Sequence, residues 1–265
     1  MPKTVHFVSG LPRSCSTLLC NILAQNPRVH ATATSPMNEI SYLARGLFKS
    51  EAAKAWQPMD VEKMFDDYNR AGILAAFDSL TDRPVVIDKS RSWVGQIDQT
   101  YKMFPDAKIL VPVRDVRGII CSMEKIRREH PAPFASPEAN NAKGFTTMEK
   151  RAQGWLNTPP VGIAIERVFD AASRFKSKLF FVNADKLTQF PQAVMDQVWD
   201  YLGEPRFVHD FTNVEQYTHE HETGWPYGQH LIQSNVKPLP RNYEEILGKQ
   251  LSDGLSTKFS WINDL

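Results

Sequence analysis

Apolar residues along this chain fall into two recurring patterns. Short runs at 5–8, 84–89, 108–114 and 179–182 are continuous and rich in β-branched residues, which predicts strands buried on both faces. Between them, apolar positions return every three or four residues over 37–48, 61–80, 116–128, 147–157 and 160–175, the spacing of helices that bury one side. A shorter helix follows the first strand, with Leu18, Leu19, Ile22 and Leu23 on one face, and a last one is expected near 243–251. Asn26-Pro27, Ser35-Pro36 and Pro105-Asp106 punctuate these segments, and residues 31–36 read as a loop returning over the end of the first helix. Strands alternating with helices predict an α/β fold, a three-layer sandwich with a central parallel sheet. No repeat, low-complexity tract or linker divides the chain, so one domain is expected over 1–265, with lid or substrate loops at about 130–145 and 205–240.

The segment joining the first strand to the first helix, Ser9-Gly10-Leu11-Pro12-Arg13-Ser14-Cys15-Ser16-Thr17, is a compact polar turn. A turn of this kind points several backbone N–H groups, and the positive end of the following helix, at one anion. Arg13 adds a fixed positive charge, and Ser14, Ser16 and Thr17 add hydroxyl donors. The nucleoside-triphosphate pattern G-x-x-x-x-G-K-[ST] fits poorly: counted from Gly10, Cys15 and Ser16 stand where glycine and lysine are required, and only Thr17 matches. The ends of the next two strands also carry charge, with Asp88, Lys89 and Arg91 after one and Arg114 after the other. In an open parallel sheet, strand carboxyl ends face the ligand, so these side chains are expected beside the polar turn.

Charge and cysteine content narrow the partners. With 31 basic and 30 acidic residues the net charge is +1, so nothing global points to nucleic acid or an anionic membrane, and any basic site must be local. Three cysteines, Cys15, Cys20 and Cys121, make no disulfide framework and favour a reducing compartment. No basic segment followed by an apolar one resembles a secretory signal, and no apolar run approaches the roughly 18 residues of a membrane span, so a cytoplasmic location is expected. The spacings of His209, His219, His221 and His230 fit no compact zinc pattern and read as solvated loop histidines. Trp56, Trp93, Trp155, Trp225 and Tyr227 are available either to a ligand pocket or to the core.

Pro12-Arg-Ser-Cys-Ser-Thr-Leu-Leu19 after a strand resembles the 5′-phosphosulfate loop of sulfotransferases, which take 3′-phosphoadenosine 5′-phosphosulfate (PAPS) as donor and release 3′-phosphoadenosine 5′-phosphate (PAP). Val113-Arg-Asp-Val-Arg117, followed by Ser122, is similar to the element of that family that grips the ribose 3′-phosphate. The resemblance gives Arg114 and Ser122 that role, which suits the planar, bidentate fork of arginine. It extends to Leu202-Gly-Glu-Pro205 after the last strand and helix, and it makes Lys237, before Pro238, the lysine that closes over the nucleotide. Two matches fail: the tyrosine that relatives often carry beyond the last strand is Ala184, and the usual glycine of the phosphosulfate loop is Cys15. If the turn requires a positive φ there, the cysteine is strained, and a thiol at a helix start is a candidate for a lowered pKa.

In spacing, the chain is closest to the tyrosylprotein branch, which implies that Lys89 stabilises the charge developing on the donor's bridging oxygen. A sulfuryl group carries less charge than a phosphoryl group, so no metal is expected. The branch's catalytic glutamate falls at Thr34, which cannot take a proton. Glu39 and His30 are the candidate substitutes; Asp88 is a further one, or else the ion-pair partner of Lys89. The expected partner is an acceptor bearing a hydroxyl, with its identity and the oligomeric state left open. A small-molecule kinase with Asp88 on magnesium, and a nucleotide-binding protein without catalysis, are the alternatives.

Overall fold

The computed structural model describes residues 3–47, 49–55, 61–129, 144–219 and 230–265. Five strands, β1 (Thr4–Val8), β2 (Val29–Thr34), β3 (Val85–Lys89), β4 (Ile109–Val113) and β5 (Leu179–Asn183), form one sheet in the order β2-β3-β1-β4-β5, and every pairing is parallel. The helices among the described residues are α1 (Ser16–Ala24), α2 (Met37–Leu47), α3 (Glu51–Ala55), α4 (Val61–Leu80), α5 (Ile97–Met103), α6 (Val116–Glu129), α7 (Met148–Leu156), α8 (Val161–Phe175), α9 (Ala184–Gln189), α10 (Pro191–Leu202), α11 (Tyr243–Leu247) and α12 (Lys249–Lys258).

The continuous apolar strands are buried on both sides, and alternate residues serve opposite cores. Val5, Phe7, Val86, Ile109 and Val111 pack with Ile73 and Phe77 of α4, Ile97 of α5 and Ile119 of α6. Val8, Val85, Ile87 and Leu110 pack on the other face with Leu19, Ile22 and Leu23 of α1 and Val198 and Trp199 of α10. This period of two decides where the polar strand ends point. Asp88 follows Val86 toward the Trp93 side, and Lys89 follows Ile87 toward α1.

Three expectations change. Residues 31–34, expected within a loop, instead end the edge strand β2, which pairs with β3. Val29-His-Ala-Thr-Ala-Thr34 is too weakly apolar to announce itself, and a partner far along the chain supplies the ladder that its own pattern does not. The last helix is two, α11 and α12, broken at Gly248, whose φ of +76° ends a helix. His209 is buried, not solvated: its Nε2 accepts from Trp199 Nε1 at 3.0 Å and the rings stack at 5.7 Å. His221, Trp56, Trp225, Tyr227 and nearly all of the loop expected near 130–145 lie outside the described residues. Trp93 and Trp155 are core residues.

Burial of His209, and of His6 whose Nδ1 accepts from the Lys108 N–H at 3.1 Å, lowers both imidazole pKa values to about 4. Each is neutral in the fold and takes up a proton on unfolding, so its contribution is complete above pH 6.5 and is lost as the pH falls toward 4. Asp88, raised to about 6 by burial, acts in the opposite sense between 3.8 and 6. Two protons taken up against one released leave about one net proton, a loss of about 1.4 kcal/mol per pH unit from pH 6 to 4. Urea unfolding at stepped pH measures this slope, and His209→Gln should flatten it.

Candidate active site

The strand carboxyl ends open into a cavity of about 750 Å³, within the range of small-ligand sites. Its floor is the β1–α1 loop. Gly10 lets this loop cross β4 at close range, since a Cβ there would lie 2.2 Å from the Pro112 carbonyl oxygen. Ser14 is buried and its hydroxyl faces the carbonyl oxygens of Leu11 and Pro112, the latter at 3.1 Å. The side chain that the sequence offers as an anion donor instead ties the loop to the sheet.

Arg13 and Cys15 both have positive φ, 58° and 63°. Left-handed conformations at two residues so close together are a feature of the tight turns from which anion nests are built. For residues with a Cβ they cost energy, on the order of 1 kcal/mol each. Cys15→Gly should therefore raise stability by about 1 kcal/mol, read as a rise of about 3 °C in Tm by calorimetry. Burial raises the Cys15 thiol pKa, against the pull of Arg114 and Arg13, so the lowered pKa expected of a thiol at a helix start is not found.

The two cationic clusters lie side by side on the wall of this cavity and touch. Arg13 Nε donates to Ser122 Oγ at 3.0 Å, and Arg114 Nη1 donates to the Arg13 carbonyl at 3.1 Å. Asp115 does not neutralise Arg114, because Arg117 holds it through a bidentate pair with a closest approach of 2.6 Å. Arg114 lies against Gly118, where a Cβ would come within 2.6 Å of its Nε, and that buried Nε has no hydrogen-bond partner. A buried guanidinium with an open donor, seated in a glycine-lined groove beside Ser122, fits a phosphate. Lys89 is buried and its Nζ donates to Thr17 Oγ1 at 3.1 Å. Ser16, Thr34, Arg91 and Lys237 line the same space, Lys237 from an exposed position.

His30 and Glu39 are not brought to the cavity wall. His30 pairs with Val86, three residues before Lys89, or about 10 Å back along the strand. Glu39 is exposed in the first turn of α2. Both were reached by nearness in sequence to Thr34, and the strand and helix carry them away from it. Asp88 does not face Lys89 either; adjacent strand residues leave on opposite faces, and its carboxylate accepts from Trp93 Nε1 at 2.8 Å and Thr32 Oγ1 at 3.3 Å.

Asn21 was not anticipated. Buried on α1, it donates to the Thr17 carbonyl and to Thr218 Oγ1, while its Oδ1 accepts from the Thr218 N–H at 2.9 Å. It clamps the segment after α10 onto the helix that carries the loop. A lone asparagine among apolar helix positions was the available signal.

An all-parallel sheet whose first strand runs through a compact polar loop into a helix defines the phosphate-loop class of α/β proteins. Within that class the chain belongs to the sulfotransferase family, whose model matches residues 6–209. Similar solved structures include the sulfotransferase domain from the curacin biosynthetic pathway (TM-score 0.56, 17% identity, 98% of each chain covered). The sulfotransferase domain from the Synechococcus PCC 7002 olefin synthase is comparable (0.56, 19%, 98% of this chain and 95% of that one), as is a sulfotransferase from Alicyclobacillus acidocaldarius (0.56, 15%, 100% and 95%). At these identities the likeness is one of fold. No curated protein matches the chain. Among the described residues no helix is long and apolar enough to cross a membrane.

Proposed function

We propose that this sulfotransferase takes PAPS as donor and transfers its sulfuryl group to an acceptor hydroxyl, as a single-domain enzyme of the cytoplasm. The observation that carries the reading is the contact between the two cationic clusters on one cavity wall, with Arg13 bonded to Ser122 and Arg114 to the Arg13 backbone. In this assignment the loop from Arg13 to Thr17 takes the 5′-phosphosulfate, and Arg114 with Ser122 takes the 3′-phosphate. The sheet order then gives the cavity a direction. Arg114 follows β4, the loop follows β1, and Lys89 and Thr34 follow β3 and β2, so the acceptor enters on the β2 side.

During transfer the acceptor oxygen bonds to sulfur and gives up its proton to solvent, the bond from sulfur to the bridging oxygen breaks, and PAP leaves with the bonding pair. Lys89, next to Thr17, is the cation placed to stabilise charge on that oxygen, and the loop N–H groups hold the 5′-phosphate as charge builds on it. Calorimetric titration tests the donor assignment. PAP should bind at least about 100-fold more tightly than AMP, the worth of one well-held phosphate at about 2.7 kcal/mol. Equal affinities would refute a 3′-phosphate site.

A further inference from the structure

Asp88 is fully buried, charged in neutral solution by its ordinary chemistry, and absent from the cavity wall, yet it sits one residue before Lys89. Its surroundings are all hydrogen-bond donors: Trp93 Nε1, the Thr32 hydroxyl and the Ser35 hydroxyl. Thr32 lies in β2 and Ser35 directly follows it, where the sheet is irregular. Ala31 pairs with Ile87 and Thr34 with Lys89, so β2 spends two residues where β3 spends one. Such a bulge redirects a strand and leaves a ladder donor unmatched.

Across from this bulge the Lys89 N–H donates to the Thr32 hydroxyl at 2.8 Å. That same hydroxyl gives its hydrogen to Asp88, which fixes its orientation as an acceptor toward Lys89. Beyond the bulge, the Ser35 N–H returns to the Lys89 carbonyl at 2.9 Å, and the Ser35 side chain accepts from the Met37 N–H at the start of α2. The Lys89 N–H and C=O are therefore held by the Thr32 hydroxyl and the Ser35 N–H, and Asp88 accepts from the side-chain hydroxyls of both residues.

We infer that Asp88 is a positioning residue for sulfuryl transfer, acting through the Thr32 hydroxyl and the β2 bulge to hold Lys89 and Thr34 at the acceptor end of the cavity. The inference rests on the role proposed for Lys89. It does not make Asp88 a base: the carboxylate is enclosed by three donors and touches no cavity. A displacement of Lys89 on the order of 1 Å is enough to cost up to about 100-fold in rate, whereas the 3′-phosphate grip lies two strands away on β4.

Thr32 provides the test that leaves the buried carboxylate in place. Thr32→Val, which keeps the shape and removes the hydroxyl, should lower kcat about tenfold with the PAP dissociation constant within about twofold of wild type, and Thr32→Ser should restore kcat. Asp88→Asn, which turns one acceptor into a donor facing donors, should lower kcat likewise, and the double variant Thr32→Val with Asp88→Asn should be no slower than the worse single one. Equal losses in Thr32→Val and Thr32→Ser, additive losses in the double variant, or a fall in PAP affinity parallel to kcat would overturn the inference while leaving the donor assignment intact. Failure of the wild type to bind PAP would overturn both.

Discussion

Lys89→Ala is expected to lower kcat for sulfuryl transfer by about 10²–10³-fold while leaving PAP affinity within about threefold, measured by single-turnover transfer and calorimetry on the same preparation. The magnitude is that of removing one preorganised donor from a site where charge develops. The split between the two readouts follows from position. Lys89 Nζ is bonded to Thr17 at the α1 start, on the side away from Arg114, so it meets the donor where the transferred group leaves and contributes little to holding the nucleotide. Lys89→Arg should recover only part of the loss, because the larger guanidinium cannot occupy the same buried space beside Thr17. A variant with unchanged kcat would remove Lys89 from the chemistry.

Arg114→Ala is expected to weaken PAP binding by about 100-fold with AMP binding unchanged. Its charge-assisted bonds to a phosphate are worth about 1.5–3 kcal/mol each, and AMP carries no 3′-phosphate to lose them. Gly118→Ala should reproduce part of this effect without touching a charged residue, since the new methyl group would meet the Arg114 guanidinium at 2.6 Å and displace it. A general unfolding would weaken both nucleotides together, and that result would place Gly118 in the fold and outside the phosphate grip.

The residues of the two grips were readable because their chemistry is local. Arg13 and Thr17 sit in one turn, and Arg114 and Ser122 in one strand end and the helix that follows, so a motif carries each pair entire. What joins the pairs, the bond from Arg13 to Ser122, spans 109 residues and belongs to the sheet order rather than to any motif. Ser14 shows the same limit in reverse: its type suggests a ligand donor, and only the passage of the loop over Pro112 reveals that its hydroxyl is already engaged. The edge strand β2 was missed because threonine and alanine alternate there without a strong apolar signal. Without the β2–β3 pairing, nothing in the sequence sets His30 three residues behind Lys89, and nearness to Thr34 along the chain is the one guide to a base. Asp88 was visible as a charge beside Lys89, but the parity that sends it to the opposite face required the pairing register.

The bonds that Arg13 and Lys89 make to neighbouring hydroxyls bear on turnover. Arg13 on Ser122 and Lys89 on Thr17 are arranged so that cationic groups already have partners inside the protein before any anion arrives. An incoming donor must trade these contacts for its own, and a departing product hands them back. In the proposed cycle this exchange lowers the net affinity for the nucleotide relative to a site of bare cations and so favours release of the spent one.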